Sequence, residues 1–266
     1  KFGRSERSGD RPDAARTPWS VHDAVTCAGG RYAQQTQAPD SPGVDARAAL
    51  GNAEHTLDEV QFDLTFSQQG RPFWVWGTGI KPGETTQDFA KDNYYFSFTR
   101  LAASGTITIA GTTHEVTGTT WMDHEYGYFG GSSADARVRW LLQDLQLDNG
   151  YSISNAGILT VGYKPEIDVP VDAYATVQDA EGNLYYVAST ITPVGELWTS
   201  PATGNVYAQQ FHVQIPSFQA DLTVSVLVQN QEFPIAASPV YEGVAKPTGT
   251  MLGKPVTGDA WIEQAY

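Results

Sequence analysis

From residue 60 onward the chain falls into short runs in which apolar and polar residues alternate, and the alternation persists to the end. Residues 60–66 show it most cleanly; a period of two puts successive side chains on opposite faces of a half-buried strand. Gln68 to Pro72 carries turn chemistry, and residues 73–77 read as a second strand with Trp74 and Trp76 on one face. Residues 94–99 form a third. Ser104-Gly105 and Ala110-Gly111-Thr112 read as turns that bound strands at 106–109 and 113–118. After the break at Gly130-Gly131-Ser132-Ser133, strands are predicted over 138–147, 151–161, 173–177, 184–189, 206–215, 221–228, 240–245 and 260–266. Asp148-Asn149-Gly150 and Asp179 to Asn183 supply turns between them. Helical periodicity is nearly absent; residues 46–59 are the one short helix predicted, weakened by Gly51 and Asn52. Strands at this spacing make an antiparallel barrel or sandwich. The expectation is an all-β chain of two antiparallel barrel-like halves, residues 1–130 and 131–266, with residues 118–129 near their join.

Composition narrows the function classes. The 266 residues are ample for a large core, and 30 Asp and Glu against 16 Lys and Arg leave a net charge of −14. A nucleic acid or an anionic membrane surface needs a basic face, so neither is an expected partner. No apolar run approaches the roughly 18 residues of a membrane span. The single cysteine, Cys27, excludes an internal disulfide and a cysteine-based zinc cluster. The chain starts at Lys1 without an initiator Met or a signal-type apolar stretch. That start points to a removed leader, consistent with export, or to a fragment.

The chemistry concentrates in Trp121-Met122-Asp123-His124-Glu125-Tyr126-Gly127-Tyr128. Three ionisable side chains sit among aromatics, where desolvation shifts pKa values and makes working acids and bases. If the stretch is extended, Asp123 and Glu125 share one face and His124 takes the other. Two readings stay open at this level. The stretch is an acid site, or it is a buried network pinning two β halves together. A metal site would require His114 to fold back onto it, and no Gly-x-Ser-x-Gly elbow supports a serine hydrolase. Glu242 follows Tyr241 and Glu263 stands two residues after Trp261; surface or structural pairing is their expected use, and the other reading has one of them facing the cavity and pairing with Arg100 or Arg139. His212 is expected to face solvent, opposite Phe211 and Val213.

Residues 93–101, Gly111 and then Val116 to Gly127, with the core Trp121-x-Asp123-His124-Glu125, resemble the lipocalin-like family of carotenoid 1,2-hydratase and the AttH proteins. Kievitone hydratase and fungal Diels–Alderases are similar at the fold level. Trp140 with Gln146 to Gly150, Trp198-Thr199-Ser200 before Tyr207, Glu242-Gly243 and Trp261-Ile262-Glu263 extend the resemblance. It covers residue 90 to the end well and the first 90 residues weakly, since the family carries further N-terminal strands. Leu142 and Tyr241 stand where the family usually has other aromatics. The resemblance implies two lipocalin-like barrels, an apolar cavity between or within them, and a hydrophobic polyene, isoprenoid or polyketide-like small molecule as partner. It implies double-bond hydration or cyclisation with no cofactor and no metal.

Such chemistry needs an acid for carbon, aromatic faces for the cation and a base for water. Asp123 or Glu125 is the candidate acid, with His124 to orient water or hold the carboxyl. Trp121, Tyr126, Tyr128, Trp140, Tyr95, Trp76, Tyr241 and Glu242 are the candidate cavity lining. A pericyclase of the Diels–Alderase kind, working by positioning, and a non-catalytic carrier are the competing expectations.

Overall fold

The computed structural model describes residues 19–27, 58–83, 92–127, 138–233 and 239–266. Two antiparallel sheets account for nearly all of them. The first contains β1 (Trp19–Cys27), β2 (Asp58–Gln68), β3 (Phe73–Trp74), β4 (Asn93–Ile109) and β5 (Thr112–Gly127). β4 is its spine: β5 pairs along one edge, while β2 and β3 share the other, with β1 outside β2. Among the described residues this sheet is open, so the first of the two expected barrels is present here as a sheet only.

The second sheet contains β6 (Arg139–Leu147), β7 (Ser152–Leu159), β8 (Val171–Gln178), β9 (Leu184–Thr199), β10 (Val206–Ile215), β11 (Ala220–Val226), β12 (Glu232–Phe233), β13 (Val240–Met251) and β14 (Lys254–Ala265). Neighbours run β11-β10-β9-β8-β7-β6-β14-β13, and β11 pairs with β13 to close an eight-stranded barrel. Closure leaves no unpaired strand edge. Alternation does the rest. Leu145, Ile153, Val177, Phe211, Leu222 and Ile262 point inward and are fully buried. Each such side chain contributes about 1.5–3 kcal/mol of transfer free energy. His212, between Phe211 and Val213, points outward, with its Nε2 2.9 Å from Asp221 Oδ1.

Among the departures from the sequence pattern, three bear on the first sheet. Ser104-Gly105 does not turn: β4 continues through it, because Gly105 lets the chains close up. A Cβ at Gly105 would lie 2.0 Å from the Asp63 carbonyl oxygen. The run 73–77 is a two-residue strand followed by a 3-10 turn, Val75–Gly77, in which Trp76 has φ 60°. That turn sends the two tryptophans to different partners, Trp74 against Phe96 and Trp76 against Tyr95. The predicted helix at 46–59 ends inside β2; the rest of it lies outside the described residues.

The open sheet lies against the outer wall of the barrel. A bulge positions the contact: Thr99 and Arg100 of β4 stand opposite Trp121 alone on β5. Arg100 thereby reaches the barrel, donating to the carbonyls of Leu147 (2.8 Å) and Tyr151 (3.1 Å). Gln146 Nε2 donates back to Thr99 O (2.5 Å). At the other end the Trp76 amide donates to Thr176 Oγ1 (2.9 Å).

Candidate active site in the seam between sheet and barrel

The site grows from the register of β4 and β5. Tyr95 lies opposite Glu125, and Ser97 opposite Asp123. Residues two apart share a face, so Asn93, Tyr95 and Ser97 look the same way as Trp121, Asp123 and Glu125. That way is toward the barrel. Asp123 is the hub: it accepts from Ser97 Oγ and, on the same oxygen, from Trp121 Nε1 (2.7 Å). The Tyr95 hydroxyl also bonds it. Asn93 Nδ2 donates to Glu125 Oε1 (3.0 Å). The face ends at Gly127 (φ 107°), where a Cβ would sit 2.2 Å from the Asp92 carbonyl oxygen.

The barrel contributes the residues that point out of it. On β6, Leu141 and Leu145 face the core, which turns Trp140, Leu142 and Asp144 outward. On β14, Ile262 faces the core, which turns Trp261 and Glu263 outward, and β13 adds Glu242 by the same alternation. Trp140 Nε1 donates to Glu263 Oε2 (2.9 Å), and Trp261 Nε1 to Glu242 Oε2 (2.7 Å). With Trp121 on Asp123, three tryptophans each give their indole N–H to a carboxyl group. Their N–H edges are thus fixed on the acids.

Crowding of carboxyl groups in a desolvated seam favours their neutral forms. Burial above all, then the charge of Glu242, pushes Glu263 up to about 8, against the opposing hydrogen bond from Trp140. Burial likewise pushes Glu242 up to about 7, opposed by the Trp261 bond and reinforced by Asp123. Asp144 is held well above the carboxylate range by burial and by Asp123. Glu125 stands at the rim, partly in water. The wall behind it raises its pKa; the Asn93 bond and the Lys81 charge pull the other way. Tyr95 is raised well above its ordinary value, first by burial and then by the charges of Asp144, Asp123 and Glu263.

The candidate lining divides by location. The structure brings together Asp123, Glu125, Trp121, Tyr95, Trp140 and Glu242, with Trp76 edge-on to Tyr95 (5.7 Å). His124 and Tyr126 do not join them. The strand alternation turns both to the far face of the sheet, where His124 packs on Phe96 (5.2 Å) and Tyr126 stacks on Tyr94 (5.3 Å). Tyr241 also stands apart: it faces the barrel interior, fully buried, with its hydroxyl donating to Val228 O (3.0 Å) and Gln229 O (2.9 Å). Tyr128 lies outside the described residues. Glu242 and Glu263 bond tryptophans rather than Arg100, which is committed to backbone carbonyls. Asp144 carries no motif signal; its trace in sequence is one acid interrupting a leucine-rich run. Ser97 lies in the 93–101 stretch of the resemblance, with nothing there to mark it as a partner of Asp123. Among the described residues no group of three His, Cys, Asp or Glu side chains is arranged to hold a metal ion. No described helix is long and apolar enough to cross a membrane.

Comparison with known proteins places these features in context. A family model described as AttH-like matches residues 32–265. A crystal structure of an AttH protein from Nitrosomonas europaea superposes with a TM-score of 0.63 at 21% identity. Kievitone hydratase from Nectria haematococca superposes with a TM-score of 0.63 at 19% identity. Each superposition covers 79% of this chain and 64% of the other, so the chain spans less than two thirds of either protein. No curated protein matches.

Proposed function

The chain belongs to the AttH-like family, and on that footing we propose that it is a hydratase-type enzyme that adds water across, or cyclises, a carbon–carbon double bond of a hydrophobic small molecule held in the seam. The observation that carries this reading is the trio of indole-to-carboxyl bonds along a seam where Asp144, Glu242 and Glu263 are pushed toward neutrality. Fold resemblance to a hydratase supports it.

The step needs a proton, a stabilised cation and a base. The Asp123 carboxyl gives its proton: its O–H bond breaks, and the π electrons form the new C–H bond. The cation left on the second carbon faces the rings of Trp121, Trp140 and Trp261, whose π faces favour positive charge by about 1–2 kcal/mol each. Water adds through oxygen and its surplus proton passes to the Glu125 carboxylate at the solvent rim, giving the alcohol. In cyclisation a second double bond of the substrate replaces water, and Glu125 takes the proton from carbon. Glu263, with a pKa of about 8, is mostly uncharged at neutral pH, and Glu242, at about 7, is about half so. An apolar substrate therefore meets a lining less charged than five acids would suggest.

The test is turnover of polyene and prenylated aromatic compounds by Asp123→Asn and Glu125→Gln, with folding checked by thermal melt. Loss of about 10²-fold or more in kcat for folded Asp123→Asn is expected, within the range of positioned proton transfer. Full turnover in both variants overturns the assignment. A rate indifferent to pH, with unchanged Asp123→Asn, would instead favour a pericyclase that works by positioning.

A further inference from the structure

Resting on the reading of the seam as an acid site, we infer that Asp144 is the positioning residue of the acid: Asp144 on the barrel and Asp123 on the sheet share one proton and act as a unit.

Asp144 is the most enclosed carboxyl of the seam, 4% exposed. Its strand places it opposite Trp261 on β14 and Ser154 on β7, both facing outward from the barrel beneath the sheet. Ser154 bonds it from the barrel side, and Asp123 reaches it across the seam. Its Oδ1 has no hydrogen-bond partner among the described residues. Two carboxylates within hydrogen-bonding reach cannot both be ionised without strong repulsion; one proton between them turns repulsion into a bond. Among the described residues, the charges that act most on Asp144 are those of Asp123 and Glu263, both negative, so neither takes the place of that proton. Lys81 acts on Glu125, at the rim.

The arrangement explains how Asp123 serves as an acid while meeting solvent and accepting three hydrogen bonds. The proton that Asp123 delivers need not reside on it. Asp144, desolvated and unable to ionise beside Asp123, holds it and returns it along the shared bond. Proton balance is kept: each proton given to substrate carbon is replaced by the one taken from water at Glu125, which re-enters through Asp123. The groups that bear on the pair are Tyr95 and Ser97 from β4, Trp121 and Glu125 from β5, Ser154 from β7, Glu242 from β13 and Glu263 from β14.

The experiment is a pH titration of the whole protein with its aspartate side-chain carboxyls labelled with carbon-13 and read by NMR. It needs no substrate, so its failure is separate from failure of the hydratase reading, which turnover tests. The Asp144 carboxyl is assigned by its loss in Asp144→Asn. It is expected to remain protonated at neutral pH. In Asp123→Asn its proton affinity should fall by about tenfold or more, since one pKa unit is a factor of ten. Ser154→Ala removes a bond that favours the ionised form, so there the affinity should rise. Should Asp123→Asn not fold, Asp123→Ser removes the same carboxyl and carries the same expectation. An Asp144 that titrates in the ordinary carboxylate range, or whose midpoint ignores the loss of the Asp123 carboxyl, overturns the inference. A merely structural Asp144 would give that indifference.

Discussion

Trp140 shows how one side chain tunes another across the seam. Its indole N–H on Glu263 Oε2 favours the ionised form, yet burial outweighs it and leaves Glu263 at about 8. Trp140→Phe keeps a ring in place and removes the donor, so Glu263 should titrate higher still. Carbon-13 titration of glutamate carboxyls reads this directly, and a Glu263 midpoint that falls would contradict it. The same residue marks how far sequence reasoning reached. Trp121, Asp123 and Glu125 were legible as a group because one strand carries them and alternation assigns their face. Asp144, Ser97 and Asn93 were not, because what matters about them is what stands opposite in other strands. Alternation also separates His124 from Asp123 in sequence, and the packing of His124 on Phe96 and Tyr126 shows the far face that it takes.

Between elements, the seam is crossed by a few directional bonds. Arg100 ties β4 to the turn after β6 through two carbonyls, and Gln146 returns a bond to Thr99. Arg100→Met keeps much of the stem and loses both bonds. It should destabilise the protein by about 2–3 kcal/mol, read by denaturant unfolding, and lower turnover by loosening the site. Inside the barrel a second polar device closes the end of β10. Glu232 is buried and accepts from Ser200, from Thr203 (2.5 Å) and from Tyr207 (2.8 Å). Glu232→Ala would orphan those hydroxyls and should cost about 2–4 kcal/mol, with no change in the pH dependence of turnover. Element positions were readable in the barrel because inward and outward residues alternate around one core. β10 appears over the very residues predicted, 206–215. They were less readable in the open sheet. Its strands are long and bulged, and Gly105 serves close approach rather than a turn.

For the whole molecule the acids of the seam set how stability follows pH. Glu242 and Glu263 rise from an ordinary 4.5 to about 7 and about 8 on folding. The folded state therefore binds more protons than the unfolded state between those values, and stability falls as pH rises through that window. It is fully present below about 4.5 and has been lost above about 8, the opposite of a protein held by ionised carboxylates. Thermal melts across this range should show a falling midpoint. The double variant Glu242→Gln, Glu263→Gln should flatten the curve, and a midpoint that rises with pH would contradict the assignment. An all-β architecture was legible in the strand pattern. The pattern also set residues 118–129 near the join of the two halves; the barrel residues that meet them there were not legible, because they come together only where the outer wall of a closed barrel meets a separate sheet.

The most direct measurement of the central claim is oxygen-18 incorporation from labelled water into a hydrophobic alkene, followed by mass spectrometry for the wild type and for folded Asp123→Asn. Labelled alcohol from the wild type, with a rate that falls as pH rises past the titration of the seam acids and that collapses in Asp123→Asn, is the predicted result. Equal labelling by both proteins would contradict it.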